Sequence, residues 1–198
     1  MKNKKYNDKY YHRHYHEYRI WENQVGNNIY KKLKPQSIID LGCGVGSYLE
    51  GAFKAGCEDI KGIEISYDDV QKYIVNSIFP YISYGDITEN ILIKEKFDCV
   101  LSIEVAEHID PQKTDNFIKS LINCSKKHII LTAAPPGQRG TGHINLREKS
   151  FWIKAIEEKG AVYNEELVEQ FKNKWKEFNV PKYILKNLMV FEIEKKER

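Results

Sequence analysis

Asp40-Leu41-Gly42-Cys43-Gly44-Val45-Gly46 sets three glycines one residue apart behind a carboxylate, at the end of the apolar run Ile38 to Leu41. Glycine serves where a chain turns sharply, where backbone must touch a ligand, and where a helix packs close to a strand. A helix-compatible run, Ser47 to Ala55, follows at once. Such a turn aims free N–H groups and the positive end of a helix at whatever binds there. Further on, Glu64 closes the apolar strand Ile60-Lys61-Gly62-Ile63, where an acidic residue suits two hydrogen bonds to a ribose diol. Together these residues imply a nucleoside-containing cofactor. The G-x-G-x-G spacing is not the G-x-G-x-x-G of dinucleotide sites, and no Gly-Lys-Ser/Thr follows to make a phosphate loop. Asp40 suits a ligand that carries a positive charge, such as an α-ammonium group or the water around it.

These residues need a sheet edge to gather them. Strand and helix signals alternate along the chain, with strands near 37–41, 60–65, 81–85, 97–103 and 127–133. Helices are expected near 18–33, 46–56, 67–77, 112–124 and 148–159. That rhythm predicts a parallel sheet with helices on both faces. Residues 161–167 and 183–194 read as two more strands, with an amphipathic helix over 168–178 between them; its Phe171, Trp175 and Phe178 read as packing. Residues 1–17 are polar, aromatic and basic without an apolar period. They are expected to form a flexible arm that frays or orders over the cofactor site, with Tyr11, Tyr15 or Trp21 shielding the ligand, ahead of a single domain spanning 18–198.

Composition narrows the class. With 198 residues, 41% hydrophobic and 30% charged, the chain reads as one globular domain. The net charge of +3 is too mild to argue for nucleic acid. No apolar run reaches the length of a membrane span, and Met1 to Lys5 is not followed by the apolar core of a signal peptide. The four cysteines are scattered, so neither a disulfide framework nor a zinc knuckle is implied. A cytoplasmic protein, monomeric or homodimeric and without a membrane partner, is the expectation.

The segment from Asp40 to Gly46 resembles motif I of the class I S-adenosylmethionine-dependent methyltransferases, and the likeness runs from about Trp21 to the C-terminus. Gly62-Ile63-Glu64-Ile65-Ser66 resembles the second motif, Tyr84-Gly85-Asp86-Ile87-Thr88 the third, and Phe97 to Val105 the fourth strand with its loop. The resemblance implies a Rossmann-like, doubly wound, seven-stranded sheet, mostly parallel with the last strand antiparallel. It also implies S-adenosylmethionine as cofactor, leaving as S-adenosylhomocysteine (SAH). The expected cofactor-binding residues are Asp40, Gly42, Cys43, Gly44, Gly46, Glu64, Ile65, Asp86, Ile87, Ser102 and Glu104. Among them, Glu64 would hold both ribose hydroxyls and Asp86 the adenine amino group.

Beyond the cofactor, Glu104-Val105-Ala106-Glu107-His108 follows the fourth strand, at the edge where open α/β sheets bind ligands. The long loop Ala133 to Asn145 brings His143 to the same edge. Three readings stand side by side. A histidine takes the proton from an acceptor hydroxyl, with His143 ahead of His108. Alternatively, Glu104, Glu107, His108 and His143 hold a divalent cation. That set resembles the small-RNA 3′-terminal 2′-O-methyltransferases and the ubiquinone-pathway O-methyltransferases. In the third reading Glu104 faces the cofactor and His108 braces the loop. The metal-free base is preferred at this stage.

The expected activity is methyl transfer to an oxygen, less so a nitrogen, of a small polar acceptor such as a sugar, sugar nucleotide or phosphorylated metabolite. Its rivals are metal-dependent RNA 2′-O-methylation and a non-catalytic binding module on the same fold.

Overall fold

The computed structural model describes residues 8–89 and 95–194; the first seven residues of the expected arm lie outside the described residues. From Asp8 onward the chain is helical. Helix α1 (Asp8–Arg13) passes through a π-helical turn (His14–Tyr18) into α2 (Arg19–Leu33). Residues 8–17 are therefore a helical extension of α2. Tyr11 belongs to the core cluster on this side of the sheet and also lines the cavity.

Strand β1 (Ser37–Leu41) leads through the glycine turn to α3 (Ser47–Lys54), β2 (Asp59–Glu64), the short α4 (Tyr67–Val70) and β3 (Ile82–Tyr84). Then come β4 (Phe97–Ser102), α5 (Thr114–Cys124), β5 (Ser125–Leu131), α6 (Lys149–Glu157) and β6 (Ala161–Tyr163). Helices α7 (Glu165–Lys176) and α8 (Lys182–Asn187) precede β7 (Met189–Ile193). The sheet order is β3-β2-β1-β4-β5-β7-β6. The first five strands in that order pair in parallel, and β7 is antiparallel to both β5 and β6. This is the seven-stranded, doubly wound arrangement that the motif order implied.

Helices cover both faces. Val25, Ile29, Leu49, Phe171, Trp175 and Ile184 pack on one face, and Phe117, Leu121, Trp152 and Ile156 on the other. Strand order reverses at β1 and β4, so the carboxyl ends of these strands open a crevice there.

Helices α2 and α3 approach at backbone distance. A Cβ on Gly26 would lie 1.9 Å from the Tyr48 carbonyl oxygen, and one on Gly51 would lie 2.0 Å from that of Asn23. Buried Glu50 fastens the crossing, accepting from Arg19 Nε at 2.7 Å and Asn23 Nδ2 at 2.9 Å, with Lys54 Nζ at 2.7 Å. Burial works against its charge, but the bonds from Arg19, Lys54 and Asn23 prevail and hold the carboxyl down at about 2.

Three expected elements differ. The strand over 183–194 begins as α8, because Pro181 starts a helical turn that buries Ile184 and Leu185; only Met189 onward pairs with β5. The strand over 161–167 ends at Tyr163, because Asn164 caps α7 by accepting the Leu167 N–H at 2.8 Å. The helix over 67–77 is one short turn, α4, followed by a 3₁₀ turn over Gln71–Tyr73.

Candidate active site

A cavity of about 750 Å³ opens at the carboxyl ends of β1, β2 and β4, roofed by α1 and α2. All three turn glycines have positive φ, which only glycine adopts without strain: 86° at Gly42, 54° at Gly44 and 78° at Gly46. At Gly44 a Cβ would meet nothing within 4 Å, so bare backbone faces the cavity. The Gly44 N–H donates to Glu64 Oε2 and the Ser66 N–H to Oε1, both at 2.8 Å. Burial still raises the Glu64 carboxyl, against these backbone bonds.

Asp40 is 1% exposed, and its Oδ2 has no hydrogen-bond donor among the described residues. Burial, with the charges of Glu64 and Glu22, pushes its carboxyl up to about 7. Asp86 lies at the far end, where Oδ1 accepts from the Thr88 N–H at 2.8 Å and from Thr88 Oγ1 at 2.6 Å. Lys113 Nζ stands 3.5 Å from Asp86 Oδ2.

The reacting end is built by a loop that returns onto the turn after β4. The N–H groups of Ile144 and Asn145 donate to the Glu107 carbonyl at 2.9 and 3.0 Å, and Asn145 Nδ2 donates to Thr114 Oγ1 at 3.0 Å. These bonds carry His143 to His108, with ring centroids 5.0 Å apart. Nδ1 of His143 lies 3.2 Å from the Gln138 carbonyl oxygen, which can only accept. Nδ1 therefore carries the proton, and Nε2 presents its lone pair. Nε2 stands 4.0 Å from Oε1 of Glu107.

Glu107 is wholly buried; neither carboxylate oxygen has a well-aligned hydrogen bond among the described residues, although the Glu104 carboxyl and the Ala134 backbone N–H lie close by. Burial, and then the charge of Glu104, push its carboxyl well up. Burial raises Glu104 too, although Thr132 Oγ1 donates to it at 2.9 Å. One ligand atom each from Glu107, His108 and His143 lie within 4.8 Å of one another. A carboxylate beside two imidazoles is a donor set for a divalent cation.

Asp40, Gly42, Cys43, Gly44, Glu64, Ile65, Asp86, Ile87, Glu104, His108 and His143 all line the cavity. Gly46 and Ser102 do not line it, and each makes a contact of its own. A Cβ on Gly46 would strike Ile82 and Ile78, at 2.5 and 2.7 Å, so this glycine serves packing. The Ser102 hydroxyl is buried and donates to the Leu41 carbonyl at 2.8 Å, tying the ends of β4 and β1 together.

A family model described as a methyltransferase domain matches residues 11–173. This chain belongs to the class I S-adenosylmethionine-dependent methyltransferase family. It is 29% identical over 181 residues to the mitochondrial ubiquinone biosynthesis O-methyltransferase of Dictyostelium discoideum, an alignment covering 83% of this chain and 52% of that one. It is 27% identical over 160 residues to the ubiquinone biosynthesis O-methyltransferase of Bradyrhizobium diazoefficiens, covering 77% and 58%. The chain thus spans little more than half the length of these relatives. Among solved structures, the methyltransferase domain of bacterial CtHen1-C superposes with a TM-score of 0.59 at 19% identity, covering 88% of this chain and 98% of that one. That likeness shows the fold.

This methyltransferase also lines its cavity with Tyr11, Tyr18, Trp21, Glu22, Tyr48 and Tyr183. They come from α2 and its extension, α3 and α8, which only tertiary packing brings over the sheet edge. Tyr11 and Trp21 are two of the three aromatics expected over the site, whereas Tyr15 does not line the cavity; Tyr48 and Tyr183 carry no motif that would have marked them. Trp175 and Phe171, by contrast, are core; Trp175 Nε1 donates to Asn28 Oδ1 at 3.0 Å. Among the described residues, no helix is long and apolar enough to cross a membrane.

Proposed function

We propose that this methyltransferase passes its methyl group to an oxygen of a small polar acceptor, such as a sugar, sugar nucleotide or phosphorylated metabolite. The observation that carries the reading is that His108 and His143, backed by Glu107, meet the same cavity as Gly44, Asp40 and Glu64. The similarity to ubiquinone-pathway enzymes named O-methyltransferases supports oxygen over nitrogen.

The residues fit the cofactor. Gly44 leaves a cradle that a side chain would fill, Asp40 keeps a buried oxygen without a donor, and Glu64 retains lone pairs beyond its two backbone bonds. S-adenosylmethionine supplies a methyl on a positively charged sulfur, already reactive toward a nucleophile. What the protein adds is alignment and the exclusion of water. When ionised, Asp40 would supply negative charge within the cavity, Glu64 would hold the ribose, and Tyr11 and Trp21 would shield the ligand.

One observation favours a cation at the reacting end over an unassisted histidine base. A base needs His143 alone and gives no role to the fully buried carboxylate of Glu107 that stands 4.0 Å from its ring. A divalent ion held by Glu107, His108 and His143, with Glu104 beside them, would satisfy it and lower the pKa of an acceptor hydroxyl. The reading is tested by methyl transfer from S-adenosylmethionine to a panel of sugars, sugar nucleotides, phosphorylated metabolites, amines and RNA ends. Oxygen acceptors among the small molecules are expected to react. Transfer confined to amines would refute the oxygen assignment, and salt-dependent retention with transfer only to RNA ends would replace the acceptor class.

A further inference from the structure

Three cations line the cavity, and two of them are already engaged. Arg13 Nε lies 2.7 Å from Glu17 and its guanidinium sits 5.3 Å from the centroid of the Tyr18 ring. Lys113 stands 3.5 Å from Asp86 and 3.7 Å from Glu89. Arg139 has no carboxylate partner among the described residues, and its side chain is exposed to the cavity mouth.

The backbone that carries Arg139 is nonetheless fixed. Its neighbour Gln138 is held twice: Asn187 Nδ2 donates to its side-chain oxygen at 3.0 Å, and its carbonyl takes His143 Nδ1 at 3.2 Å. On the other side Gly140 lies against the catalytic ring, since a Cβ there would fall 2.1 Å from His143 Nε2. Gly137 and Gly142, at φ 86° and 79°, turn the loop at either end. A free guanidinium thus springs from a pinned root beside His143.

We propose that Arg139 is a clamp for an anionic group on the methyl acceptor, and that the natural acceptor carries a carboxylate or a phosphate. The inference rests on the proposed function, in that it assigns the His143 side of the cavity to the acceptor. A guanidinium offers a planar fork of donors that meets either oxyanion with two parallel, charge-assisted hydrogen bonds. Because its root adjoins the residue packed on His143, the clamped anion and the reacting oxygen belong to one small molecule. The pinning also reduces the ordering that binding requires, since only the side chain of Arg139 has to settle.

The test is titration calorimetry of the full chain saturated with SAH, using two matched pairs of ligands. Ribose against ribose 5-phosphate reads the phosphate source, and catechol against 3,4-dihydroxybenzoate reads the carboxylate source. In at least one pair the anionic member should bind on the order of tenfold more tightly. Arg139→Gln should remove that preference, and Arg139→Lys should retain part of it, because the charge stays and the fork is lost. No anion preference in the wild type, in either pair, overturns the proposal; so does a preference that survives Arg139→Gln. Failure of the underlying reading shows separately, as a wild type that cannot be saturated with SAH, and the clamp falls with it.

Discussion

The N–H of Gly44 donates to Oε2 of Glu64 at 2.8 Å, so the glycine turn and the carboxylate of β2 form one unit before any ligand arrives. With the Ser66 N–H on Oε1, two of the four or so acceptor sites of the carboxylate are used, leaving capacity for a diol. Glu64→Ala should weaken SAH binding by about 2–4 kcal/mol, read by calorimetry, because two charge-assisted hydrogen bonds vanish in a buried site. Gly44→Val should not bind, since its side chain would occupy open cavity; the strain of a valine at φ 54° should also lower its melting temperature without a clash with protein. Wild-type affinity in either variant would remove the assignment of that residue.

Asp40 makes cofactor binding depend on pH. Its carboxyl is raised from 3.8 to about 7, first by burial and then by Glu64 and Glu22. A carboxyl raised in the fold keeps its proton after the unfolded chain has lost it. The stability of the free protein therefore falls as pH climbs from about 4 to about 7. A cationic group on the ligand requires the ionised form. SAH affinity should rise with pH up to about 7, with proton release below it, and then level off. Asp40→Asn should flatten the profile; a flat profile in the wild type would show that Asp40 does not meet the charge.

Residues 8–18 should become more protected when the cofactor binds. Tyr11 is only 5% exposed, and it lines the cavity together with Glu64 and Ser66. Burial, and then the charges of Glu64 and Asp69, raise the phenol above its ordinary range, against a hydrogen bond to Ser66 that lowers it. Limited proteolysis should cut within this segment more slowly with SAH present, and Tyr11→Ala should remove the difference. Equal cutting rates with and without SAH would dissociate the segment from the site.

Much of this site was legible in the sequence because motif residues sit at strand ends, where local pattern and ligand chemistry coincide. Asp40, Glu64 and Asp86 close strands or follow them directly, and the alternation of strands with helices sets their order. Gly46 and Ser102 belong to the same motifs, yet they face Ile82 and the Leu41 carbonyl; residue type alone does not tell a wall from a brace. Tyr183 was assigned to a strand, and its place on the cavity follows from the helix that Pro181 begins. Gly26 and Gly51 each stand isolated in a helical pattern, a sign of close packing that the sequence does show. Their partners, the backbones at Tyr48 and Asn23, exist only in the fold.

The α2–α3 crossing should be the acid-sensitive joint of the molecule. Glu50 titrates at about 2 in the fold against an ordinary 4.5, because the bonds from Arg19, Lys54 and Asn23 prevail over burial. A depressed carboxyl lends stability that is fully present above about 4.5 and is lost as pH falls toward about 2. Glu50→Ala removes a buried carboxylate whose cationic partners are partly exposed and should cost about 1–3 kcal/mol in denaturant unfolding at neutral pH, with a smaller deficit in acid. A constant deficit across that window would mean that packing, not charge, holds the joint.

The buried carboxylate of Glu107, gathered with His108 and His143, leads to the most decisive prediction. If a divalent cation is held there, chelation should abolish methyl transfer and manganese should restore it. Substitution of Glu104, Glu107, His108 or His143 should then give similar, near-total losses, since residues that act as a unit do not lose activity additively. Binding can be read without turnover, by the paramagnetic resonance of manganese titrated into the free protein. Glu107→Gln should weaken it strongly by removing the buried charge. Gly140→Ala should weaken it as well, because its new methyl group drives the His143 ring from its place. Full activity in chelator, no manganese binding, and a loss concentrated at His143 alone would establish the unassisted base instead.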